Sequence, residues 1–146
     1  MFNQSTRHML SNMGVGLRVD RAAAALTSAT VTFFTVTGRV RLTGLYGVVT
    51  VAGSTNACSW TVNPTAGTTT SICGNLDIDP ALVGDILGIT GVLATAMTYG
   101  GAAVAMMQPL DITAGAIQFI SAAAEGTIST HLTYLPLTAD GAVVAA

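Results

Sequence analysis

The sequence predicts an all-β protein, an antiparallel β-sandwich or jelly-roll-like barrel with an extended N-terminal arm. Short runs rich in β-branched residues recur along the chain, and Gly, Thr and Pro separate them. Very little of the chain has the apolar period of a helix. We expect about eight to ten short strands, with an arm at residues 1–29 and a single β domain at residues 30–146.

The longest β-branched run covers residues 39–51 and follows Gly38. Its apolar residues fall on both alternating faces, so we expect a central strand that changes its buried face partway along. Gly44 and Gly47 are the positions where a β-bulge would make that change.

The other elements follow in order from composition and turn residues. Residues 1–12 are polar and have no period, residues 13–20 look extended, and residues 21–26 have helical propensity but are too short for a stable helix. Strands rich in β-branched and aromatic residues are predicted at 30–36, 59–62, 68–78, 85–90 and 115–120.

Residues 126–137 alternate most cleanly between apolar and polar side chains. Ile128, Leu132 and Tyr134 would face the core, and the intervening polar residues, His131 among them, would face water or a partner. Pro136 predicts that this strand ends at a sheet edge.

Two cysteines, Cys58 and Cys73, leave two interpretations open. In a cytosolic protein they would be free, partly buried thiols. If residues 58–62 pair with residues 69–73 around a turn, however, the cysteines lie opposite each other and could form a disulfide.

Few residues carry charge. Charged side chains make up 8% of the chain and the mean hydropathy is +0.63, whereas an ordinary domain has about 25% charged residues. Such a surface is covered by other protein or lies partly in lipid. Residues 86–110 are uncharged and long enough to span a bilayer, but their glycines and the lack of flanking basic residues argue against a membrane segment. The first residues have no apolar signal region, so we expect synthesis in the cytoplasm.

The charges are unevenly distributed. All the basic residues are arginines that precede Leu42, and most acids follow it. We therefore expect one end to meet an acidic partner or another copy's acidic half. The net charge of −2 and the scattered arginines predict no nucleic-acid partner. The candidate interface residues are Arg18, Arg21, Arg39, Arg41 and His131.

No pattern in the sequence predicts catalysis, a cofactor or a metal. The chain has no Gly-x-Ser-x-Gly elbow, no Lys for a phosphate loop, and no nucleophile motif near His8 or His131. A calcium loop beginning at Asp77 and Asp79 would need an oxygen ligand where Ala81 stands. The aromatic residues, Trp60 among them, are expected in the core. We predict a non-enzymatic protein.

Several turn and strand segments, in this order, resemble a family of small bacteriophage virion proteins of the head decoration (cement) or minor structural type. The segments that carry the resemblance are residues 38–45, 63–68, 76–78, 87–91, 101–105, 109–110, 114–117, 132–137 and 140–141. The resemblance implies an all-β fold, self-association, often as trimers, and docking on the outside of a capsid through the major capsid protein. It implies no catalytic residue.

The first hypothesis is therefore a head decoration protein, made in the host cytoplasm and located on the capsid exterior as a homotrimer. A tail or neck structural protein of the same fold is the second. A β-barrel that binds an apolar small ligand through Trp60 and the phenylalanines is a third, and a membrane protein is the least favoured.

Overall fold

The computed structural model describes residues 16–146, and these residues form strands and loops without helix. The strands are β1 (Leu17–Ala25), β2 (Thr30–Thr37), β3 (Val40–Val51), β4 (Ala57–Pro64), β5 (Thr70–Ser71), β6 (Leu76–Asp77), β7 (Ile86–Gly88), β8 (Thr98–Gly100), β9 (Leu110–Ile112), β10 (Gly115–Ser121), β11 (Thr127–Pro136) and β12 (Ala142–Ala145).

The strands form two antiparallel sheets that pack face to face. Sheet A has the order β1-β11-β3-β7-β8, with β9 also beside β3, and sheet B has the order β12-β2-β10-β4-β5, with β6 also beside β4. The predicted all-β sandwich is therefore confirmed. In the described part of the chain the sheets do not close into a barrel.

The predicted organising strand, β3, lies inside sheet A between β11 and the short strands β7 and β9. The register with β11 shifts by one residue between Gly44 and Leu42. This bulge allows Leu42 and Leu45 to be buried although their spacing would place them on opposite faces. The predicted change of face at Gly44 is confirmed, and the register runs without a shift through Gly47.

Three aromatic rings fill the centre of the core, as predicted. Trp60 packs against Phe119 at 4.8 Å and against Phe33 at 5.4 Å between ring centroids, both edge-on, and Phe33 stacks on Phe119 at 5.3 Å. A shift in the register of β2 against β10 occurs at Phe33, so Phe33 and its neighbour Phe34 are both buried.

Strand β11 shows the predicted alternation, because Ile128, Leu132 and Tyr134 are buried, whereas His131 and the other polar residues of its face are only partly buried. The prediction of a sheet edge at Pro136 is wrong. The strand ends there, but it is an interior strand with β1 on one side and β3 on the other.

Strand β1, which pairs with β11, comes from residues 1–29, the segment predicted as an arm. Leu17–Ala25 is strand β1, so the sandwich begins before residue 30. The helical propensity of its alanines is overridden because pairing with β11 satisfies the backbone and covers the inner face of the strand. The rest of the predicted arm, residues 1–15, lies outside the described residues.

The two cysteines do not face each other in the predicted register. Thr61 pairs with Ser71 and Val62 with Thr70, one residue out of the register that would align Cys58 with Cys73. Both thiols are free and buried, and Cys73 Sγ accepts a hydrogen bond from the Trp60 N–H at 3.1 Å. Burial raises the pKa of the Cys58 thiol to about 11.

Candidate interaction surface

One row of residues crosses the outer face of sheet A. Asp20, His131, Tyr46, Gly88 and Thr98 are direct cross-strand partners on β1, β11, β3, β7 and β8. Because partners in a ladder point to the same face, this row joins side chains that are far apart in sequence. Its polar end is at β1. The opposite part, from Tyr46 to Gly88, borders an apolar groove and is called the apolar end.

The polar end is a cluster of three side chains. Asp20 Oδ1 lies 2.7 Å from Arg18 Nε and 2.6 Å from His131 Nδ1, and Arg18 Nη2 lies 3.0 Å from the same ring nitrogen. The shortest contact favours the tautomer in which Nδ1–H donates to the carboxylate. The bonds from His131 and Arg18 hold the pKa of the Asp20 carboxyl below its usual value.

Tyr46 connects this cluster to the apolar end. Its ring lies 4.9 Å from the His131 ring, at an angle of 32°. On its other side Tyr46 lines a groove of about 420 Å³, whose floor includes Leu45 and Ile86 and whose wall is residues 103–107. Gly88 makes room for the wall, because a Cβ there would lie 3.2 Å from Val104 Cγ2.

The groove is apolar and its rim is exposed. None of the described residues that line it is charged, and Met106 on its wall is 91% exposed. A cleft of this size and composition is large enough to hold an apolar side chain of another protein or a small ligand.

Exposed apolar side chains are concentrated in one segment of the chain, which includes the Met106 wall of this groove. Nine large hydrophobic residues are exposed in the described part of the chain, and six come from residues 82–106: Leu82, Val83, Val92, Leu93, Tyr99 and Met106. Asp85 is the one charged residue of that segment. Apolar surface concentrated in this way is typical of a surface that another molecule covers.

Residues 82–106 overlap the uncharged run of residues 86–110, which is long enough to span a bilayer. It forms short strands and loops, and within residues 16–146 no helix is long and apolar enough to cross a membrane.

The predicted interface arginines have different environments. Arg18 belongs to the polar cluster with His131, and Arg41 forms a bidentate ion pair with Asp111, at 2.7 and 3.1 Å. Arg39 is exposed and forms no ion pair with a described residue. Arg21 points inward and lies over the ring of Phe33.

Sequence reasoning missed Asp20, Tyr46 and Met106. Nothing in the local pattern distinguishes them, because Asp20 and Tyr46 reach His131 only through the pairing of β1, β11 and β3. The low charge of residues 82–106 was the one signal that pointed to the apolar end.

The described residues contain no group of three or more His, Cys, Asp or Glu side chains that could hold a metal ion. Comparison with protein-family models, with curated proteins and with solved structures finds no match.

Proposed function

We propose that this chain is a non-enzymatic structural protein of a bacteriophage virion, which decorates and cements the outer surface of the capsid as a symmetric oligomer. Its partners would be further copies of itself, as a homotrimer, and the major capsid protein. A tail or neck position for the same fold is the alternative.

The observation that carries an assembly role is the exposed apolar surface of residues 82–106. Side chains such as Tyr99 and Met106 are 42% and 91% exposed on a rigid sandwich whose surface has few charges. Covering them with protein gains about 25 cal/mol for each Å² of apolar area. The virion assignment is supported by the resemblance of the turn and strand segments to decoration proteins.

A cementing role fits this physics. A capsid filled with DNA is under outward pressure, and a protein that bridges several shell subunits adds buried interface that must be broken before the subunits separate. Obligate interfaces of about 2,000 Å² or more are rich in apolar side chains, as this surface is.

Light scattering tests the proposal, first on the protein alone and then in sedimentation with undecorated capsids of the phage that encodes it. We expect a trimer that co-sediments with the shells and raises their melting temperature. Met106→Glu should weaken association, whereas Val144→Glu, at an exposed apolar residue of β12, is the matched control. A monomer that ignores shells would refute the head assignment, and binding to isolated tails would favour the alternative.

The apolar groove supports a second candidate, the binding of an uncharged small ligand. The ligand would lie against Tyr46 and Val104 rather than against Trp60, which is in the core. Gly88→Val would push Val104 into the groove. Loss of binding of a fluorescent apolar probe in this variant, with the oligomer unchanged, would favour this function.

A further inference from the structure

Arg21 is the one described arginine that points toward the core. It lies on β1 directly opposite Thr130 on β11, and Thr130 is completely buried. The guanidinium carbon lies 3.9 Å above the centre of the Phe33 ring, and Nε donates a hydrogen bond to the backbone oxygen of Ala146 at 3.2 Å. The guanidinium therefore occupies the edge of the sandwich where β1 of one sheet approaches β12 of the other.

Two buried polar atoms at this position have no hydrogen-bond partner in the described structure. They are Arg21 Nη1 and Thr130 Oγ1, the polar atoms of two cross-strand neighbours. Buried polar atoms of folded proteins are nearly always paired, so an unpaired couple indicates that a partner is missing. Because Nη1 can only donate, that partner must offer an acceptor.

A small pocket adjoins Arg21. Its volume is about 80 Å³, and apolar side chains line most of it, among them Leu26, Val31, Phe33 and Phe119. Arg21 is the charged residue of this lining, and Asp20, its neighbour in sequence, is directed to the other face with His131. The pocket exceeds the roughly 10–15 Å³ that one water needs.

We propose that this pocket binds a carboxylate carried on a short aliphatic chain, with the unpaired Nη1 of Arg21 as its donor. The aliphatic carbons would contact Leu26 and Phe119, and the anion would meet the partly buried guanidinium, to which charge-assisted hydrogen bonds are strong.

Burial lowers the pKa of Arg21, and a bound anion would offset the cost of desolvating the guanidinium.

The carboxylate can come from a free small acid or from a Glu or Asp side chain of a docked protein. The second source rests on the proposed function, since a capsid or a second copy would present the side chain at the edge between β1 and β12. The pocket itself does not depend on the virion assignment.

The test is a titration of the full chain with propionate at constant ionic strength, followed by backbone amide chemical shifts. We expect saturable shifts at Leu26, Val31 and Phe33, and none with propionamide, which has the same shape without the charge. A blocked glutamate, with both its α-amino and α-carboxyl groups as amides, separates the two sources: binding supports a side-chain ligand, and binding of propionate alone supports a free acid.

Arg21→Met should weaken binding roughly tenfold or more, as loss of a charge-assisted hydrogen bond does. Arg39→Met, at an exposed arginine, is the matched control and should bind like the wild type.

Equal binding of propionamide, or no saturable shifts with any carboxylate, would overturn the proposal. In the latter case the unpaired atoms would hold internal water only. If the protein assembles on capsids but does not bind carboxylates, the carboxylate proposal is overturned and the proposed function stands. If the protein binds carboxylates but stays monomeric and does not bind shells, the carboxylate proposal stands and the proposed function is overturned.

Discussion

Replacing Asn56 by Ala should destabilise the sandwich more than any other single change to a polar loop residue. Asn56 is 1% exposed, in the loop between β3 and β4. Its Nδ2 lies 2.9–3.0 Å from three acceptors that share its two hydrogens, Ser121 Oγ and the backbone oxygens of Ala123 and Glu125, and its Oδ1 accepts from the Ala123 N–H at 2.9 Å. One side chain thus anchors the connection between β10 and β11.

The size of the effect follows from what the truncation leaves behind. The backbone oxygens of Ala123 and Glu125 lie near the surface and can bond to water, and the Ser121 hydroxyl keeps a bond to Ala123 O at 2.8 Å. The Ala123 N–H loses its partner, at a cost of about 1–3 kcal/mol, and the remaining bonds each contribute about 0.5–1.5 kcal/mol. We expect a loss of about 3 kcal/mol in the free energy of unfolding.

Urea unfolding monitored by Trp60 fluorescence measures this loss, which should appear as a lower midpoint with an unchanged slope. Asn63→Ala is the matched control, because the Asn63 side chain accepts a hydrogen bond only from the exposed Thr69 hydroxyl in the described structure. It should change stability by less than about 0.5 kcal/mol. If Asn56→Ala loses no more than this control, the reasoning about the network is refuted.

Three further predictions concern other positions. Gly44→Ala should lower the free energy of unfolding by about 1–3 kcal/mol, because the added Cβ would lie 2.5 Å from Thr133 Oγ1. In thermal unfolding, adding Thr133→Ala should restore part of this stability. If it restores none, the steric cause is contradicted. Burial raises the pKa of Cys58 to about 11. The protonated thiol therefore stabilises the fold below pH 9, and this stability is lost as the pH rises through 11. At 1.36 kcal/mol per pKa unit the loss is up to about 2.7 kcal/mol. In Cys58→Ala the urea midpoint should fall less steeply at alkaline pH than in the wild type. An equally steep fall in the variant would contradict the role of the Cys58 thiol. Ala94 has a φ of 68°, so Ala94→Gly should leave stability unchanged or raise it by up to about 1 kcal/mol in the same assay, and a clear loss would contradict strain at this turn.

Much of the candidate surface could not be predicted because its residues are distant in sequence. Arg41 meets Asp111 across the pairing of β3 with β9, and His131 meets Asp20 across that of β11 with β1. The arginine-rich first part of the chain suggested an acidic partner elsewhere, whereas the fold brings acids of the same chain to two of these arginines. Arg18 meets Asp20 within one strand, but Arg41 meets Asp111 only because of strand order and register.

The sequence by itself determined the all-β class, the alternation of β11 and the change of face near Gly44. Each depends on neighbours within one strand, where side chains alternate with a period of two and a glycine permits a bulge. The tertiary structure alone decided that residues 17–25 form a strand, that Cys58 pairs with Leu76 and not with Cys73, and that Tyr46 lies between a polar cluster and an apolar groove. Those outcomes depend on register between distant strands, which is selected by the burial of the whole core and not by any local pattern.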